Sequence, residues 1–236
     1  MKKREAKNRG KIFIDLVKQV LQDPAYREKE PLRNAAKAAA EPVVADLKRH
    51  GITVDELGGL RAGHPKIKAA IPILVKWLPV VEHPWVRMTI VRRLSIPAAR
   101  GVAAPILLEE FKKLKAPADS LKWAVGNALS ITATDRDLDD LLNIAEAKNH
   151  GRAREMIVLG LSRFDTEKTR TVLLKLLSDD DVKAHAAAAL GSLGAQEAVP
   201  KLTRMLADKD YLARKEAKTA LKDIHKRGSH FSKRRK

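Results

Sequence analysis

The sequence predicts an all-α protein: a solenoid of about five stacked helical hairpins closed at its N-terminal end by a helical cap. Three observations predict it. Residues 165–224 repeat themselves, DTEKTRTVLLKLLSDDDVKAHAAAALGSLG being followed by AQEAVPKLTRMLADKDYLARKEAKTALKDI. Each half reads as an amphipathic helix, an Asp-rich turn, an Ala-rich helix and a break. Next, the second helices of five units align without gaps. Val86, Leu121, Ala153, Val182 and Ala213 come first; Ile90, Val125, Ile157, Ala186 and Ala217 stand four residues on, and Leu94, Leu129, Leu161, Leu190 and Leu221 eight residues on. These offsets share one face of a helix with about 3.6 residues per turn. The Leu anchors are spaced 35, 32, 29 and 31 residues apart. Finally, the first helices carry their own stack: Leu74, Leu107, Leu141, Leu173 and Leu202, followed four residues later by Leu78, Phe111, Ala145, Leu177 and Leu206. One hairpin cannot bury both faces, whereas stacked hairpins share a continuous core.

Taken in order, residues 1–67 read as an arm and helical cap. Met1 to Lys11 holds six basic residues and one Glu and is expected to be a mobile arm. A helix near Lys11–Gln22 has an apolar face of Ile12, Leu16 and Val20, and Asp23-Pro24 stops it. A second helix covers about Pro31–His50, with a kink or break at Pro42 and Gly51 as its left-handed cap. Thr53 with Glu56 three residues later is a capping-box signature for a short helix. Gly58-Gly59 is no phosphate loop, since neither a strand before it nor a Lys-Ser/Thr pair after it is present. The units then run at roughly 68–97, 101–132, 135–164, 165–194 and 195–225, with 226–236 as a basic disordered tail. Asp119, Asp181 and Asp210 fall at turns within units and suit N-caps of second helices.

The Asp-rich turn Asp179–Asp181, the pair Val182-Lys183, Ala186 with Ala189-Leu190-Gly191, and Pro200 in the following first helix form one pattern, with Pro72 and Pro105 at the matching place of earlier units. That pattern resembles the HEAT-repeat family, and within it the short repeats of the phycobilisome-lyase type. Asp139 stands in the proline slot of the third unit, and Arg93 precedes Leu94 where the pattern has Ala-Leu. The resemblance covers roughly Lys68–Ile224. It implies a right-handed α-solenoid of about five HEAT-like helical hairpins whose second helices line the concave surface. It says little about activity, because such repeats serve many roles.

Composition narrows the classes. The chain has 236 residues, 44% of them hydrophobic, enough for one elongated domain with its own core. With no Cys there is no disulfide, no thiolate metal site and no Cys nucleophile. No apolar run of about 18 residues suggests a membrane span, and the basic N-terminus reads as an amphipathic helix rather than a signal peptide. The expectation is a cytoplasmic monomer. The net charge is +18, distributed unevenly. Residues 68–134 hold 10 basic and 4 acidic residues, residues 135–221 hold 15 of each, and the last 15 residues hold 7 and 1. Such an excess favours an acidic protein partner or nucleic acid, DNA or RNA.

Candidate residues follow from the register. Arg87, Lys122, Arg154, Lys183 and Arg214 occupy one column just after the first core position, about 100° around the helix from it. They read as an inter-repeat ladder pairing with turn Asp residues of a neighbouring unit, in preference to a phosphate-binding stripe. The face opposite the core supplies a binding groove: Met88, Val91, Arg92, Trp123, Asn127, Val158, Leu159, Lys215, Lys218 and Lys222. Trp77 belongs to core or convex surface, Trp85 packs locally, and Trp123 points into the groove as a core-edge residue or a base-stacking aromatic. The polyanion candidates are Lys2, Lys3, Arg4, Arg92, Arg100, Lys112, Lys113, Lys226, Arg227, Lys233, Arg234, Arg235 and Lys236; Lys112 and Lys113 alternatively complement a helix C-terminus. No motif calls for a metal, a cofactor or a catalytic set. The reading is therefore a non-enzymatic binding scaffold. Its competitor rests on resemblance: alkylpurine DNA glycosylases are built from HEAT-like repeats, and Asp119, Trp123 and Arg92 or Arg87 would take the roles of their groove residues.

Overall fold

A computed structural model describes residues 30–115 and 120–233, with side chains as far as Arg227. The expected arm, the helix near 11–22, Asp119, and the candidates Lys2, Lys3, Arg4, Arg234, Arg235 and Lys236 lie outside the described residues. Among the described residues there is no strand. The helices are α1 (Glu30–Arg49), α2 (Ile67–Trp77), α3 (Pro84–Leu94), α4 (Ala104–Lys113), α5 (Ser120–Thr132), α6 (Leu138–Glu146), α7 (Glu155–Gly160), α8 (Glu167–Leu176), α9 (Lys183–Leu193), α10 (Val199–Met205) and α11 (Tyr211–Lys233). The pairs α2/α3, α4/α5, α6/α7, α8/α9 and α10/α11 are the five expected hairpins, stacked as an α-solenoid. The backbone of α11 stays helical to Lys233, so residues 226–233 extend the last helix where a loose tail was expected.

Helix α1 caps the stack by packing on α2 and α3. It runs unbroken through Pro42, contrary to the expected kink or break. Its C-terminal half is anchored by fully buried Val43 and Leu47, and that packing offsets the hydrogen bond proline cannot donate. Gly51 ends it at φ 72°, with Ile52 N–H donating to Leu47 O at 2.9 Å and Gly51 N–H to Lys48 O at 2.9 Å. Gly194 ends α9 in the same way at φ 67°. Buried Asp46 ties α1 to α2, accepting from Trp77 Nε1 at 2.8 Å and Lys76 Nζ at 3.1 Å. The Trp77 hydrogen bond, then that of Lys76, holds its carboxyl below the ordinary value. The capping box read at Thr53 and Glu56 does not form: the segment is non-helical, and a 3-10 turn begins only at Leu57.

The aligned columns are the core. Every first-column and second-column residue of the second helices is buried, as are Leu94, Leu129, Leu161 and Leu190. Two departures fall at the C-terminal end: Leu221 is half-buried and Leu206 is 43% exposed. Both belong to the last hairpin, where no sixth hairpin among the described residues covers them.

Successive second helices approach closely. A Cβ on Gly160 would stand 2.6 Å from Ser130 Cβ, and one on Gly191 would stand 2.6 Å from Ala220 Cα. First helices instead meet through ion pairs between long side chains, Lys112–Asp140 at 2.8 Å and Lys175–Glu146 at 2.7 Å. A stack narrower on one side curves towards that side, so α3, α5, α7, α9 and α11 line the inner face.

Candidate binding face

The cation column is largely closed to solvent, and its contacts are internal. Arg87 pairs with buried Glu110 of the next hairpin. Arg154, 0% exposed, reaches Asp179 at 3.0 Å and Asp181 at 3.5 Å in the next hairpin, and donates to Ala145 O at 2.8 Å and Gly151 O at 2.9 Å. Lys183 lies 2.9 Å from Asp208 of the next hairpin and 2.7 Å from Asp180 of its own turn. The Asp180 and Asp208 hydrogen bonds raise its pKa. Lys122 and Arg214 are held differently. Lys122 Nζ donates to Leu114 O and lies 3.1 Å from His150 Nδ1, and Arg214 donates to the carbonyls of Asp208 and Lys209 in its own turn. Asp210 caps α11 by accepting from Leu212 N–H at 2.8 Å. Asp181 does not cap α9; it serves Arg154, and Asp179 O accepts from Lys183 N–H instead.

On the inner face the expected groove residues divide. Val91 and Val158 are fully buried and line no open groove, because the second helices sit too close together to leave them uncovered. Met88, Asn127 and Leu159 are half-buried. Arg92, Trp123, Lys215, Lys218 and Lys222 are exposed. Between α3 and α5 a cavity of about 300 Å³ is lined by Met88, Arg92, Ser95, Ser120, Trp123, Ala124 and Asn127. On its other edge, Trp123 Nε1 donates to Glu155 Oε2 of α7 at 3.0 Å, and Glu155 Oε1 accepts from Arg152 Nε at 2.6 Å. Sequence reasoning did not single out that pair, although Trp123 and Glu155 hold the same register position. A second cavity of about 350 Å³ lies between α1, residues 55–58 and the start of α3. Trp85, expected to pack locally, lines it and is 52% exposed. Trp77 is half-buried against Asp46.

Arginines gather where the second helices end. Arg93 donates to Gly58 O at 3.1 Å, and burial, followed by the charges of Arg61 and Arg92, lowers its pKa. Arg163 donates to Ser130 O and Ala133 O at 2.6 and 2.8 Å; burial and then Arg100 lower its pKa. Exposed Arg100 lies 3.4 Å from Ile131 O. Other polyanion candidates are already engaged. Lys112 pairs with Asp140, and Lys113 stands 3.7 Å from Glu109 and 3.6 Å from Glu110 in the last turn of α4. Lys226 and Arg227 are exposed on α11, and Lys233 is placed by its backbone alone. Among the described residues no three His, Asp or Glu side chains converge on a metal position, and no helix is long and apolar enough to cross a membrane.

Hairpins stacked in register, with small residues where inner helices touch and buried cations bridging unit to unit, define a helical-repeat solenoid. A family model described as HEAT repeats matches residues 138–222, from α6 into α11. Over that stretch the chain is similar to HEAT repeats. No curated protein matches its sequence.

Proposed function

We propose that this chain is a non-enzymatic HEAT-repeat scaffold, monomeric and cytoplasmic, whose inner face and arginine-rich edge bind nucleic acid. One observation carries the reading. On the inner face, Arg92, Lys218 and Lys222 are exposed and make no ion pair with any described residue. Cations left unneutralised on one face concentrate the field there and attract a polyanion. Nucleic acid is favoured over an acidic protein surface because exposed Trp123 shares a cavity with Arg92. The glycosylase reading has less support: Glu155, the carboxylate at Trp123, has both oxygens engaged.

Fluorescence anisotropy with labelled DNA and RNA across a salt series tests this. Log affinity is expected to fall with log salt at a slope of about −0.9 per phosphate neutralised on duplex DNA. Replacing both Lys218 and Lys222 by Ala reduces that slope by about two units, while the same change at Lys112 and Lys113 leaves it nearly unchanged. Absence of binding at about 50 mM salt would remove nucleic acid and leave an acidic protein partner.

A further inference from the structure

We propose that the cavity between α3 and α5 is a stacking subsite for one unpaired base, so that the chain prefers single-stranded nucleic acid, with Arg92 holding an adjoining phosphate. This rests on the nucleic-acid reading above and deepens it. The argument begins with the ring of Trp123. Its Nε1 is fixed to Glu155 on the α7 side, and Glu155 is in turn held by Arg152, so the indole has a set orientation. The cavity lies on the other side, lined among the described residues by α3, Ser95 just after it, and α5. The ring therefore offers an apolar surface, 40% of the residue exposed, to a space of about 300 Å³. That is at the lower end of small-molecule sites, which run from about 300 to 1,000 Å³, and it suits one planar heterocycle rather than a peptide segment.

The rest of the lining fits a base attached to a charged backbone. The Asn127 side-chain amide, which bonds no described residue, borders the cavity with both a donor and an acceptor. Ser95 Oγ donates to Val91 O at 2.8 Å, leaving its lone pairs to accept from an exocyclic amine. Arg92 stands at the same cavity, and its neighbour Arg93 feels both Arg61 and Arg92 as like charges. An anion placed among these three guanidinium groups relieves their mutual repulsion. In a duplex the base faces are buried against one another and cannot reach Trp123, whereas an unstacked base in a single strand can, and stacking tolerates any base. An acidic protein surface would engage Arg92 through its carboxylates, but only a nucleic acid carries a planar ring beside every charge.

The test compares oligo(dT), oligo(U) and a hairpin duplex of equal length by anisotropy, with intrinsic tryptophan fluorescence recorded alongside. Single strands are expected to bind about tenfold more tightly than duplex and to quench the fluorescence. Trp123→Ala lowers single-strand affinity about tenfold and spares duplex binding, and Trp123→Phe retains most of the affinity while abolishing the quenching, since Trp77 and Trp85 lie elsewhere. Because Trp123→Ala also deprives Glu155 of a donor, Arg92→Glu at an exposed site serves as the second variant, with an expected loss of about tenfold or more. Salt-dependent binding that is indifferent to strandedness and unchanged in Trp123→Ala and Arg92→Glu would overturn the subsite and leave the scaffold reading standing. No binding of any nucleic acid at low salt would overturn both.

Discussion

Arg154 Nη1 lies 3.0 Å from Asp179 Oδ2 across the junction of the third and fourth hairpins, with the Arg154 side chain 0% and the Asp179 side chain 9% exposed. The same guanidinium donates to Ala145 O, closing the end of α6. One side chain thus joins a helix terminus, its own turn and the next hairpin. Removing it strands a buried carboxylate, which is costly because the charge loses its partner while staying out of water. Arg154→Ala is expected to destabilise the protein by about 3–5 kcal/mol, read as a lower urea midpoint with an unchanged slope. Changing Arg154 to Met and Asp179 to Asn together should cost less than the sum of the single changes; additive costs would show that the pair does not act as a unit.

The apolar stacks make a second, graded prediction. Leu190 is 0% exposed inside the fourth hairpin, whereas Leu206, in the corresponding stack of first helices, is 43% exposed at the end of the solenoid. Leu190→Ala is expected to cost about 2–5 kcal/mol, since it removes buried methyl groups and leaves a cavity. Leu206→Ala should stay within about 0.5 kcal/mol, the usual range of surface changes. Equal losses in thermal or chemical unfolding would contradict the position assigned to the last hairpin.

These two leucines also mark how far the sequence could be read. Spacing alone placed all five hairpins, because a residue such as Leu190 has to face a core repeated at the same register. Spacing does not mark where a stack ends, which is why Leu206 and Leu221 looked like core. Nor does it report how closely inner helices approach: Gly160 and Gly191 pull them together, and Val91 and Val158 disappear beneath their neighbours. The exposed half of the candidate site, Arg92 with Trp123, was legible because both lie opposite the core stripe. Its hidden half, the Glu155 carboxylate holding the indole, depends on a contact across 32 residues that no local pattern carries. Pro42 was misread for a related reason, since the packing of Val43 and Leu47 that keeps α1 whole comes from distant helices.

The pH dependence of stability is the last prediction. His150 lies edge-on to Phe111, with ring centroids 5.2 Å apart, and its Nδ1 is 3.1 Å from Lys122 Nζ. Burial first, then the charges of Lys122 and Arg154, pushes its pKa below the ordinary 6.5. Burial also lowers His185, whose neighbours are Glu155, Arg152 and Glu216. A histidine with a depressed folded pKa binds fewer protons folded than unfolded between the two values, so stability rises with pH in that window. Their contribution is intact above about 6.5 and is lost as pH falls from there through the folded values. Asp46, Asp165, Asp180 and Asp208 have pKa values below the ordinary 3.8, so their stabilisation is lost only at more acid pH. Urea midpoints are therefore expected to be flat above about pH 7, to decline as pH falls below about 6.5, and to fall again below about pH 4. Replacing both His150 and His185 by Gln should flatten the first decline and leave the acid limb in place. A double variant that keeps the full decline below about pH 6.5 would show that other groups govern that window.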